Sequence, residues 1–140
     1  MAETETESHE KIDYITPAYA CDEKTKEGYV RVIVAIKNLA ISRDIVRHGL
    51  RPKMVKKASN AKVEVVFENQ ALCVTVNGEK DAMKGKNFQL KVRKLPHEID
   101  SDKSYYKADE DRLLLFLCKL QNKSWYPELD NGLDLEDEED

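Results

Sequence analysis

Residues 29–39 read YVRVIVAIKNL, and the period of this stretch decides the fold. Successive side chains of an extended chain point to opposite faces. Val30, Val32, Val34 and Ile36 therefore share one side, and Arg31, Ile33, Ala35 and Lys37 the other. A helix would scatter the same residues around its circumference. The β-branched members also fit a pleated surface better than a helix, which restricts their χ1 freedom. The stretch reads as a strand with one wholly apolar face.

The same period returns further along. Residues 61–78, AKVEVVFENQALCVTVNG, read as a hairpin: Val63, Val65 and Phe67 line one face of the first arm, and Leu72, Val74 and Val76 that of the second. The polar run Glu68-Asn69-Gln70 connects them. Asn77-Gly78 is turn chemistry and opens the loop NGEKDAMKGK. In NFQLKVRKL, Phe88, Leu90 and Val92 point inward and Gln89, Lys91 and Arg93 outward, and Pro96 ends the strand. SYYKADED is short and edge-like. RLLLFLCKL is apolar on both faces and needs cover on each. Trp125, the only tryptophan, is placed to supply part of that cover, so it reads as a packing residue first.

Five to seven short strands separated by turn signals describe an all-β sandwich. One segment breaks the rhythm. Residues 41–59, ISRDIVRHGLRPKMVKKAS, lack period two and are expected to be an insertion with one or two helical turns before Gly49 and Pro52.

At 140 residues the chain matches one domain, and 36% of it is charged, with a net charge of −4. The charge is uneven. Glu3, Glu5, Glu7 and Glu10 lie in the first ten residues. Asp130, Asp134, Glu136, Asp137, Glu138, Glu139 and Asp140 lie at the other end, which leaves +7 on residues 11–129. The expected organisation is a disordered acidic N-terminus (1–11), a sandwich (12–129) and a disordered acidic tail (130–140). The tail has two readings, a solubilising bristle or a segment that folds back on the basic body. No N-terminal stretch is both basic and apolar, so no secretory signal is expected. The longest apolar run, Leu113–Cys118, is far short of the ~20 residues that cross a bilayer. Three widely spaced cysteines (Cys21, Cys73, Cys118) suit a reducing compartment, the cytoplasm and the nucleus as well.

Enzyme signatures fail one by one. Gly78 and Gly85 are seven apart and Lys86 precedes Asn87, whereas a P-loop needs four residues between its glycines and a Ser or Thr after the lysine. His9, His48 and His97 form no short pairing with each other or with the cysteines, so no zinc site is expected. Cys73 on an outward position and Cys118 on a core-like strand read as packing residues. Acidic pairs cluster in the tails, where nothing fixes their geometry. The expectation is a protein that is not an enzyme and needs no cofactor and no metal. Within the insertion, Arg43, Arg47, Arg51, Lys53, Lys56 and Lys57 stand against Asp44 alone, a net +5. This is either a solvated segment or a contact for an anionic partner such as RNA, a microtubule surface or an acidic protein. The lack of stacking aromatics in the stretch speaks against nucleic acid.

The two-faced last strand, preceded by LPHEIDSDKSYYKADED and followed by SWYPEL, resembles the closing pattern of the CS domain. That family includes the acidic-tailed co-chaperones of the ninety-kilodalton heat-shock chaperone, the calcyclin-binding proteins and the nuclear-distribution proteins. The residues that carry the resemblance are Leu95, Ile99, Ser104, Asp111, Leu113, Leu115, Leu117, Lys119, Trp125 and Leu129. YVRVIVAIKNL resembles the family's second strand, and AKVEVVFENQALCVTV its third and fourth. The likeness covers about residues 15–129, with 41–59 inserted. It implies a compact seven-stranded antiparallel sandwich, of the small heat-shock type, that acts as a non-catalytic co-chaperone or adaptor.

The implied partners are the heat-shock chaperone or its client complexes. The implied contacts are Phe67 and Arg112 on one sheet face, with Leu114 where the family's chaperone binders carry an acidic residue. Trp125 and Leu129 match the WPRL of the acidic-tailed branch, here WYPEL. Cys21 stands where that branch carries the tyrosine credited with prostaglandin synthase activity, so that activity is not expected.

Overall fold

A computed structural model describes residues 14–49, 51–130 and 132–135, without the side chains of residues 44, 46–48, 51–53 and 55. The fold is all-β and antiparallel. One four-stranded sheet has the order β1-β2-β9-β8, from β1 (Tyr19–Asp22), β2 (Tyr29–Ala35), β8 (Tyr105–Asp109) and β9 (Arg112–Cys118). A second has the order β10-β7-β6-β5, from β5 (Ala61–Glu68), β6 (Ala71–Gly78), β7 (Asn87–Lys94) and β10 (Asp134–Leu135). The strands β3 (Ile41–His48) and β4 (Arg51–Ala58) form a separate two-stranded hairpin. The only α-helical turn among the described residues, α1, spans Tyr126–Leu129.

Alternation translates directly into burial. Val30, Val32, Val34 and Ile36 are fully buried, as are Val76, Leu90, Leu113, Leu115 and Leu117. These residues come from both four-stranded sheets and join one buried cluster. Val63, Val65 and Phe67 of β5 and Phe88 of β7 pack against it half-exposed. Asn69 and Gln70 make the tight β5–β6 connection, with Val65 opposite Val74.

Two expectations are corrected. The 41–59 insertion is not helical. Ile41 pairs with Ala58 and His48 with Arg51, around a turn at Gly49, whose φ of 69° is a left-handed conformation that glycine adopts without steric cost. Its sequence hid this because neither face is consistently apolar; Ile45 and Met54, a cross-strand pair, are 71% and 58% exposed. The strand number also rises. The expected seven are β1, β2 and β5 to β9, and the hairpin and β10 bring the total to ten among the described residues.

The C-terminal region is also ordered further than composition suggested. Leu133 is buried, its N–H donates to Tyr19 Oη at 2.8 Å, and Asp134 pairs with Arg93 at 3.0 Å. An apolar anchor at Leu133 outweighs the acidic composition on either side. The readings for 1–11 and for 136–140 lie outside the described residues.

Both faces of β9 are covered, by different means. Trp125 is fully buried in the core cluster, beside His97 with ring centroids 5.7 Å apart. On the opposite face Tyr105 stacks on Phe116 at 4.9 Å, and Lys107 Nζ lies 5.7 Å from the Phe116 ring. Tyr29 meets Tyr105 edge-on at 5.9 Å, and Lys26 donates to Tyr105 Oη at 3.1 Å. Glu23 fixes the segment that carries the tryptophan: its carboxylate accepts from Lys119 Nζ at 2.6 Å, Trp125 N at 2.8 Å and Ser124 Oγ at 2.9 Å. Asn60, the one buried polar residue among the described residues, pins the root of the hairpin. Its Oδ1 accepts from Ala40 N–H and its Nδ2 donates to the Asn38 carbonyl, each at 3.0 Å.

Candidate functional site

The hairpin does not join either sheet. β4 lies beside β8, and Lys56 Nζ reaches Asp109 at 3.6 Å. Between β4, the β8 edge and the start of β5 a groove of about 790 Å³ remains. Its apolar lining comes from Met54, Ala58, Ala61, Val63, Tyr106, Ala108 and Leu114, and its charged lining from Lys56, Lys57, Lys107 and Asp109. Met54 and Tyr106 (37% exposed) leave apolar surface open at the rim, and Ile45 extends it along the hairpin.

The electrostatics of the rim follow from its strands. Asp109 is held below the ordinary carboxyl value first by the Glu110 N–H at 2.9 Å, then by Arg112 and Lys56. It stays ionised and pairs the nearest lysine, while Lys57 and Lys107 have exposed side chains at the groove. Arg43, opposite Lys56 in the hairpin register, is exposed as well. An occupant of this groove would meet an apolar floor with cationic margins, a combination that suits an acidic and partly apolar polypeptide segment.

The expected contact set is dispersed. Phe67 lies on β5 and packs toward the core, whereas Arg112 starts β9 in the other sheet and bonds Asp109 at 3.3 Å. They do not share a sheet face, contrary to the expectation. Trp125 is 0% exposed and Leu129 packs half-buried on the core, so neither forms an open contact. Leu114 alone of that set lines the groove. Of the basic set, Arg43, Lys56 and Lys57 are exposed on the hairpin, and Arg47, Arg51 and Lys53 have side chains outside the described residues. Residues that sequence reading missed are Met54, Tyr106 and Lys107. Met54 and Tyr106 stand 52 positions apart, and no spacing along the chain signals their meeting.

Among the described residues no group of three or more His, Cys, Asp or Glu is arranged to hold a metal ion. Cys21, Cys73 and Cys118 are unpaired and half-buried. Burial pushes the Cys21 thiol up to about 11, and Asp22 beside it adds to the shift, so it is protonated at neutral pH and a poor nucleophile. Among the described residues no helix is long and apolar enough to cross a membrane. No protein-family model matches the chain, and no curated protein matches it in sequence.

Proposed function

We propose that this chain is a non-catalytic adaptor whose groove between the β3–β4 hairpin and the β8 edge takes an acidic, partly apolar segment of another protein. The observation that carries the reading is the groove itself: exposed Met54 and Tyr106 beside Lys56, Lys57 and Lys107. Exposed apolar residues gathered at one concavity, rather than scattered singly, mark interaction sites. The heat-shock chaperone machinery is the proposed setting. Its support is the CS-like pattern from Leu95 to Leu129 together with the all-β, two-sheet architecture. The unpaired cysteines suit the reducing compartment where that machinery works. A second reading, an anionic surface held by the hairpin alone, is favoured by the outward Arg43, Lys56 and Lys57.

Titration of the purified ninety-kilodalton chaperone, with nucleotide, into isotope-labelled protein tests both. The adaptor reading expects saturable amide shifts at Met54–Ala58, Tyr105–Asp109 and Leu114, weakened by Met54→Asp and little changed by Arg112→Ala. The hairpin-only reading expects binding that falls steeply with salt and ignores Met54→Asp. Saturable shifts confined to other strands would overturn the groove, and no shifts at any salt would remove the chaperone as partner.

A further inference from the structure

A sheet edge displays unpaired backbone donors and acceptors, and folds shorten or cover such edges to prevent pairing with other chains. Of the four edges of the two four-stranded sheets, three are managed. β1 has four residues, β10 has two, and β8 has five with the hairpin lying beside it. The fourth is not. β5 runs for eight residues, contains no proline and pairs with β6 without a register shift. Among the described residues its backbone has no hydrogen-bond partner besides β6.

We propose that β5 is a self-pairing edge, through which two copies of this chain join antiparallel about a two-fold axis at Val65. Parity, charge and ladder length select this register, since an axis at Val63 also opposes Lys62 and Glu64 but pairs only about five residues of β5. If the two sheets are to be continuous, inward residues must stand opposite inward residues, so the axis passes through a residue rather than between two. An axis at Glu64 sets that carboxylate against its own copy. An axis at Val66 sets Glu64 against Glu68 twice. An axis at Val65 sets Lys62 opposite the partner copy's Glu68 at both ends of the ladder. It also places the half-buried Val63 opposite Phe67, and Val65 opposite itself. Directly opposed unlike charges and apolar pairs stabilise antiparallel strands, and opposed like charges destabilise them. Lys62 and Glu68 are both exposed, their neighbours on β6 are Asn77 and Ala71, and among the described residues neither forms an ion pair. This pairing needs no partner but a second copy; Val63 also lines the groove, so the test uses the chain alone.

The test is sedimentation velocity on the full chain alone, at low salt, over a series from about 10 µM to 1 mM, the range of weak, small interfaces. A monomer–dimer transition is expected. Glu68→Lys places lysine opposite lysine at both ends and should raise the dissociation constant about tenfold. The exchange Lys62→Glu with Glu68→Lys restores unlike pairs and should return it to near the starting value. Thermal unfolding of each variant checks that the monomer is intact. A chain that stays monomeric throughout would overturn the proposal. So would a dimer indifferent to Glu68→Lys, or one that the double exchange fails to restore.

Discussion

Removing the Glu23 carboxylate should loosen the end of the sandwich that holds the tryptophan. The side chain accepts three hydrogen bonds, and the charged one, from Lys119, joins groups that are only 16% and 10% exposed. All three end on the carboxylate; the buried bond from Lys119 contributes about 2 kcal/mol, and those from Trp125 N–H and the exposed Ser124, whose donors are neutral, about 1 kcal/mol each. Water admitted beside the residual exposure offsets part of the loss. Glu23→Ala is therefore expected to cost about 3 kcal/mol, a fall in melting temperature on the order of 10 °C for a domain of this size.

Denaturant titration followed by tryptophan fluorescence measures the loss, and a double-mutant cycle with Lys119→Ala isolates the pair. Coupling of about 1 kcal/mol or more is expected, because each single change strands the other charge. The pH dependence supplies a second check. Burial alone would push the Glu23 carboxyl up, but Lys119, the Trp125 N–H and Ser124 outweigh it and hold it below the ordinary 4.5. A depressed carboxyl stabilises fully above its unfolded value, and that contribution is lost as pH falls through the folded value. The stability of Glu23→Gln should therefore slope less between about pH 5 and pH 3 than that of the unaltered chain. A loss below about 0.5 kcal/mol, with no coupling to Lys119, would refute the reasoning and reduce the contact to a surface ion pair.

Trp125→Ala should cost about 3–5 kcal/mol by emptying a fully buried site, read from the denaturant midpoint. Trp125→Phe should cost much less than that, since among the described residues the buried indole N–H has no hydrogen-bond partner to lose. Asn60→Ala should cost about 2 kcal/mol, because the Ala40 N–H and Asn38 carbonyl lose their partner where water is excluded, and hydrogen exchange at Ala40 should accelerate. Joining Ser42 to Lys57, which are cross-strand partners, through an Asn-Gly turn removes the outer hairpin while keeping its root. The shortened protein should unfold cooperatively within about 1 kcal/mol of the original, since it loses an ion pair and exposed apolar side chains. A collapse of cooperativity would mean that the hairpin belongs to the core.

Sequence alone determined the strands that bury an apolar face. Alternation at Val30 to Ile36, at Leu72 to Val76 and at Phe88 to Val92 names both the element and its inward side, because the period of a strand is a local property of the chain. Trp125 as a packing residue was legible for a related reason: an isolated large aromatic after a two-faced strand has nowhere better to go than the core. The hairpin was not legible, because its two strands satisfy each other's backbone while leaving Ile45 and Met54 exposed, so hydrophobic burial wrote no pattern into it. Phe67 and Arg112 looked like neighbours only until sheet order was known. Which strands pair, which edge stays bare and which rim residues gather around a groove are set by contacts across tens of residues. Those contacts depend on how the sheets stack and where the hairpin comes to rest, and only the tertiary structure decides them.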